Sequence, residues 1–196
     1  MEISNKDIDI HCGLHMQQLD ILKESASLVS DWLTAYAPDT KPRTANALIT
    51  NFEESYYASI DGVLAGHIAL TLFSDPIRVS SEFGPISLKS RELAHYGIGS
   101  LVVKYESRGH GIGSLLLDNA CHQVLNNLTD GYIIDSATKQ EHVLVSAIAA
   151  TTSLPMFLSR GFTPDPKLEY SLPYSEIDYD PSSGKKIVSK LFSLHS

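Results

Sequence analysis

The chain predicts a mixed α/β fold, one domain over residues 1–196, organised around a central sheet. Three observations carry this. The 196 residues, 43% hydrophobic and 19% charged, suit one domain of ordinary size with a real core. Leu19, Leu22, Ala26, Val29, Leu33 and Tyr36 step by three or four, and Leu115, Leu116, Ala120 or Cys121, and Val124 make a second stripe of helical period. Strand-like apolar runs alternate with these helices, and that order belongs to a layered α/β domain.

Taken along the chain, the helix over 16–36 ends at Ala37-Pro38, because a residue before proline disfavours helical backbone. Residues 38–52 read as a loop with one short helix at most. Ser55–Ile60 and Val63–Phe73 flank Asp61-Gly62, a hairpin turn dipeptide, and Asp75-Pro76 closes the second strand. The polar stretch 76–94 takes no assignment. His95–Lys104 contains Ile98, Leu101, Val102 and Val103, a nearly continuous run that fits a strand covered on both faces. A helix over Ser114–Leu125 follows. Residues 126–141 are ambiguous, with a short strand or helix at 132–134. His142–Ala150 is a second central strand. Thr151–Arg160 is a short helix that tolerates Pro155 in its first turn, Gly161 stops it, and Phe162 opens another strand. Residues 163–184 form an acidic, proline-rich loop, and Lys185–Ser193 is the last strand. No repeat or linker is visible.

Composition narrows the function classes. A formal charge of −8 and a pI near 5.4 argue against a general nucleic-acid binder. No apolar run approaches the roughly 18 residues of a spanning helix. The N-terminus MEISNKDIDIHC has no basic region followed by an apolar one, so no secretion signal is expected. Two cysteines, Cys12 and Cys121, make no disulfide scaffold, and a cytoplasmic protein is the simple expectation. The Asn127-Leu128-Thr129 sequon is then read as chance.

The chemistry sits in Arg108-Gly109-His110-Gly111-Ile112-Gly113, between a strand and a helix. The first turn of a helix has unpaired N–H groups at a positive dipole end, and glycines clear a path to them. Such a loop binds an anion, most often phosphate; the plainer alternative is a turn that merely lets strand and helix pack closely. A phosphate-loop NTPase needs Lys and Ser/Thr after the last glycine, and here Ser114-Leu115 follows. A dinucleotide fingerprint wants a third glycine or alanine where Ser114 stands, with Asp135 as a mimic of its ribose-binding acid. That reading is kept as the distant alternative.

Val102-Val103 followed by Arg108-Gly109-x-Gly111-Ile112-Gly113 resembles the acyl-coenzyme A loop of the GNAT N-acetyltransferase superfamily, whose pattern is Arg/Gln-x-x-Gly-x-Gly/Ala after a hydrophobic strand end. Arg108, Gly111 and Gly113 fill its three defined positions. Ser153–Phe162, closing on Gly161-Phe162, is similar to the family's short fourth helix, and the Asp61-Gly62 hairpin with Gly66 resembles its second and third strands. The match is strongest over 54–165. The resemblance implies a central, mostly antiparallel sheet with splayed central strands and helices on both faces. It implies acetyl-coenzyme A as co-substrate, with the pyrophosphate held by Arg108, Gly109, His110, Gly111, Ile112, Gly113 and Ser114. Leu101, Val102 and Val103 would pair with the pantetheine arm as an added strand, the end of the 142–150 strand would form the other wall, and Val103 N–H would polarise the thioester carbonyl. The reaction implied is direct attack of a primary amine in a ternary complex.

Two departures matter. The family's proton-donating tyrosine falls at Phe157, and its cofactor-contacting asparagine at Ala150. Thr151, Thr152, Ser153, Ser159 or water would have to substitute; Thr151 is taken as a cofactor contact and Ser159 as the donor candidate. Candidate bases are His95 and Glu92, against the plainer reading of each as structural or loop-borne. His67 is a candidate cleft lining, with a satisfied buried histidine as the stronger reading. An acyl-coenzyme A-binding or sensing domain with weak catalysis is the second hypothesis.

Other groups are less eloquent. His11-Cys12-x-x-His15 has helical metal-ligand spacing without a partner cluster, so no metal is expected and the segment is read as frayed. Cys121 reads as a small hydrophobe. Tyr170, Tyr174 and Tyr179 are alternative donors, and Glu176, Asp178 and Asp180 either rim an amine site or form a solvated loop. The amine is expected to be a small molecule or a protein group. A homodimer is admitted by the resemblance; no membrane or nucleic-acid partner is expected.

Overall fold

The structure, a computed structural model, describes residues 8–13, 19–36, 44–50, 55–73, 77–79, 82–83, 86–87, 91–130, 142–164 and 184–194. In chain order the elements are β1 (Ile8–Cys12), α1 (Leu19–Tyr36), α2 (Ala45–Thr50), β2 (Ser55–Ile60), β3 (Val63–Leu72), β4 (Ile77–Val79), β5 (Glu82–Phe83), β6 (Ile86–Ser87), β7 (Arg91–Val103), α3 (Ile112–Thr129), β8 (His142–Ala149), α4 (Leu154–Leu158), β9 (Thr163–Pro164) and β10 (Lys186–Ser193). The strand order is β1-β2-β3-β7-β8-β10-β9, with β4 also on β7 and β5 paired to β6. Among the described registers only β7 with β8 is parallel, so this is a mixed α/β fold with a mostly antiparallel sheet. Contacts divide the chain into two compact units, residues 1–71 with 99–121, and residues 72–98 with 122–196.

In the first unit, Asp61 (φ 50°) and Gly62 (φ 75°) are both left-handed, which is the geometry a two-residue hairpin turn demands. Of the predicted α1 stripe, Ala26, Val29 and Leu33 are buried and pack with Leu48 of α2, Tyr57 of β2 and Val102 of β7. Tyr36, counted in that stripe, lies exposed instead. Gly66 of β3 sits against α3: a Cβ there would lie 3.0 Å from Ile112 and 3.1 Å from Leu116 side-chain carbons, and 3.2 Å from Val102 O.

In the second unit, β8 is almost wholly buried and pairs with β10 from Lys186↔Ala149 to Ser193↔His142. α4 ends as Gly161 was expected to end it. Gly161 is left-handed (φ 78°), Phe162 N–H reaches back to Phe157 O at 3.2 Å, and Lys190 Nζ donates to Arg160 O at 2.8 Å.

Several expectations are corrected. The unassigned stretch 76–94 contains β4, β5 and β6, and β7 begins at Arg91 rather than His95, extended by pairing with β4. α3 runs from Ile112 to Thr129, so Gly113 is inside it. Residues Ile8–Cys12, expected to be frayed, form a strand: β1 pairs with β2, and His11 Nε2 meets Ser59 Oγ at 3.1 Å. Strand backbone sends His11 and Cys12 to opposite faces, and no metal-holding cluster occurs among the described residues. The strand opened after Gly161 has two residues, Thr163–Pro164. Outside the described residues lie 37–43, His15, the 132–134 element with Asp135, Tyr170, Tyr174, Tyr179 and the acidic residues 176–180. No helix among the described residues is long and apolar enough to cross a membrane.

Candidate functional site

The glycine loop and the end of β7 lie together in the first unit. A 3-10 turn at Tyr105–Ser107 leads into Arg108, and α3 starts at Ile112 with Leu115 N–H donating to Gly111 O at 3.0 Å. The N–H groups up to Ser114 precede the helical ladder and have no acceptor within it. Gly109 (φ 83°) and Gly111 (φ 80°) are left-handed, and a Cβ on either would meet nothing within 4 Å. The glycines are thus required by backbone geometry, and the space beside them is open. The plainer reading, glycines for close packing, does not apply to these two; it describes Gly66.

Arg108 is fixed by three contacts. Its Nε donates to Val103 O at 3.2 Å, and its guanidinium lies 4.7 Å from the Tyr36 ring centroid and 5.4 Å from that of Tyr105. A planar, delocalised cation stacks in this way and keeps N–H groups for an anion. The contact of Tyr36 with Arg108 is one that sequence reading missed. The helical phase of Tyr36 placed it in the core stripe, and nothing local showed that it ends α1 beside the loop.

The edge of β7 follows from alternation. Lys104 N–H donates to Ala65 O of β3 at 2.9 Å, so the backbone groups of Leu101 and Val103 face away from β3. The parallel register with β8 covers Ala94–Ile98 and stops there. Val102 is buried in the core, and Leu101 and Val103 are half-buried.

The candidate catalytic residues belong to the second unit. Glu92 lies on β7 opposite Arg78; its side chain is outside the described set. His95 is buried, stacked on Phe73 at 4.7 Å between centroids, with Nε2 2.6 Å from Ser146 Oγ. Burial lowers its pKa to about 4, so the ring is neutral at pH 7 and a weak proton acceptor. Ser146, buried on β8, was not anticipated as its partner; an isolated serine in an apolar strand gives no signal. Thr151 is exposed, its Oγ1 donating to Gly184 O at 3.4 Å. Ser159 is exposed, its hydroxyl donating to Met156 O at 2.8 Å within α4. Phe157 is buried edge-on against Phe162, at 5.2 Å and 81°.

Comparison with known proteins bears on the family and the fold. The model of the acetyltransferase (GNAT) family matches residues 21–146. No curated protein matches the chain by sequence. Among solved structures, N-acetylglutamate synthase from Neisseria gonorrhoeae, complexed with coenzyme A and N-acetyl-glutamate, is similar with a TM-score of 0.60 at 18% identity, over 94% of this chain and 35% of that one. The chain thus spans about a third of that protein. Naa50 from Arabidopsis thaliana, in complex with the bisubstrate analogue CoA-Ac-MVNAL, is similar with a TM-score of 0.56 at 16% identity, over 95% of this chain and 99% of that one. A GNAT-family acetyltransferase from Streptococcus pneumoniae gives 0.54 at 14%, over 95% and 99%. At such identities the likeness shows the fold.

Proposed function

Since the chain belongs to the GNAT acetyltransferase family, we propose that it transfers the acetyl group of acetyl-coenzyme A to a primary amine by direct attack in a ternary complex. The observation that carries this is the open, left-handed Gly109–Gly111 loop at the start of α3. Its N–H groups, up to Ser114, hold the pyrophosphate, with Arg108 as the adjacent cation and His110 beside it. Coenzyme A-bound acetyltransferases share the fold, which is consistent with acetyl-coenzyme A as the co-substrate.

The outward-facing backbone of Leu101 and Val103 pairs with the pantetheine amides, and Val103 N–H donates to the thioester carbonyl as charge develops on its oxygen. The amine nitrogen bonds to the carbonyl carbon, the carbon–sulfur bond breaks, and nitrogen gives up a proton. With its pKa near 4, His95 is poorly suited to draw that proton at neutral pH, so the amine enters neutral or loses its proton to water. Phe157 offers no hydroxyl to the thiolate, which takes a proton from Ser159 or water.

The test is calorimetric titration with coenzyme A, followed by thiol release with acetyl-coenzyme A across an amine panel. Saturable binding is expected, and Gly111→Asp should weaken it strongly by setting a carboxylate among the phosphate donors. No binding at millimolar ligand removes the proposal. The buried Phe157 favours one second reading, an acyl-coenzyme A-binding domain with little turnover; binding without thiol release for any amine would select it.

A further inference from the structure

β7 changes phase along its length. His95 O accepts Phe73 N–H at 2.9 Å, and Lys104 N–H donates to Ala65 O at 2.9 Å, so both residues face β3. They stand nine positions apart. Uninterrupted alternation would put residues an odd number apart on opposite sides. One residue is therefore inserted between them, as in a β-bulge. Ser100, at φ 53°, marks the place, and Asp61 of the hairpin turn is the one other described non-glycine residue with positive φ.

The bulge decides which backbone groups reach the free edge. With it, Leu101 and Val103 face outward and Val103 O meets Arg108; without it, Val102 and Lys104 would. A serine does not adopt left-handed backbone as readily as glycine or asparagine, so something must favour it. His67 of β3 is wholly buried, with its ring 4.9 Å from that of its register partner Tyr57, and its Nδ1 lies 3.0 Å from Ser100 O. A carbonyl oxygen only accepts, so Nδ1 carries the proton and donates.

We propose that His67 is a positioning residue for the cofactor arm: by holding the Ser100 carbonyl it fixes the bulge that turns Leu101 and Val103 outward. This rests on the acetyl-coenzyme A reading above. It concerns the pantetheine arm alone, not the pyrophosphate, and that separation is measurable.

Coenzyme A and 3′-phospho-ADP, which keeps the pyrophosphate and lacks the arm, are titrated into the full chain. The wild type is expected to bind coenzyme A more tightly. His67→Leu should weaken coenzyme A by about fivefold to tenfold, the worth of one buried hydrogen bond, and leave 3′-phospho-ADP unchanged. His67→Asn, whose amide sets an N–H near the place of Nδ1–H, should restore most of the loss. Equal weakening of both ligands, or of neither, overturns the inference; a wild type that binds neither ligand sinks the parent reading instead. If His67→Leu does not fold, Ser100 carries the test. Ser100→Gly, at ease with positive φ, should keep coenzyme A affinity, and Ser100→Val should lose it with the same ligand selectivity. Equal coenzyme A affinity in those two variants overturns the inference.

Discussion

Nε2 of His95 and Oγ of Ser146 stand 2.6 Å apart on adjacent parallel strands, both wholly within the protein interior. Such a pair works when the ring is neutral, and burial holds it so by pushing the His95 pKa down from 6.5 to about 4.

The sign of the pH effect follows. The folded pKa lies below the unfolded one, so between about 6.5 and 4 the unfolded chain binds the extra proton. Stability contributed by this group is complete above pH 6.5 and falls as pH drops through that window, by roughly 3 kcal/mol at most. His95→Gln should flatten the decline of Tm between pH 7 and 4.5 relative to the wild type. Parallel declines in the two proteins would refute the assignment. In the wild type, the acid limb of kcat/KM near neutrality should track the pKa of whichever amine is supplied, because His95 does not titrate there.

Phe157→Tyr places a hydroxyl where the family's donor stands. Here it would enter a buried position already filled edge-on against Phe162. An unpaired buried hydroxyl costs about 1–3 kcal/mol. A lower Tm is expected, with no rise in thiol release. Faster turnover at unchanged Tm would show that the ring edge opens onto the reacting sulfur after all.

What the sequence disclosed was local. The Asp61-Gly62 turn, part of the α1 stripe, the Gly161 stop and the glycine loop between β7 and α3 each depend on neighbours within a few residues, and each was legible. β7 began four residues earlier than its apolar run because β4 pairs with Arg91–Leu93, a contact no periodicity in the strand announces. β1 looked like helical spacing because His11 and His15 satisfy that period by chance, while its pairing with β2 is set by residues more than 40 positions away. The partners of site residues were hidden for the same reason: Tyr36 under Arg108, Ser146 on His95 and Ser100 on His67 are all non-local.

Gly66→Ala should destabilise the first unit. A Cβ at 3.0–3.2 Å from Ile112, Leu116 and Val102 O is tighter than ordinary packing, and one of these neighbours is backbone. Overpacking of this sort costs about 1–3 kcal/mol. Urea unfolding monitored by circular dichroism should show a lower midpoint with an unchanged slope. No shift in midpoint would mean that α3 moves away freely.

Tyr36→Leu tests whether the ring beneath Arg108 matters to the anion site. The guanidinium lies 4.7 Å from that ring and keeps its bond to Val103 O. A cation–π contact at an exposed site contributes about 0.5–1 kcal/mol, so its loss should weaken coenzyme A by about twofold to fivefold. Tyr36 has no part in the hydrophobic cluster around Leu33 and Leu48, so Tm should change little. Arg108→Lys should lose more affinity, because one ammonium cannot lie flat on two rings, bond Val103 O and meet phosphate together. Titration at two salt concentrations separates the effects. Tyr36→Leu and Arg108→Lys each keep a cation and so the wild-type salt dependence, whereas Arg108→Gln, which removes the charge, should flatten it. An Arg108→Lys affinity equal to the wild type would remove Arg108 from the anion site.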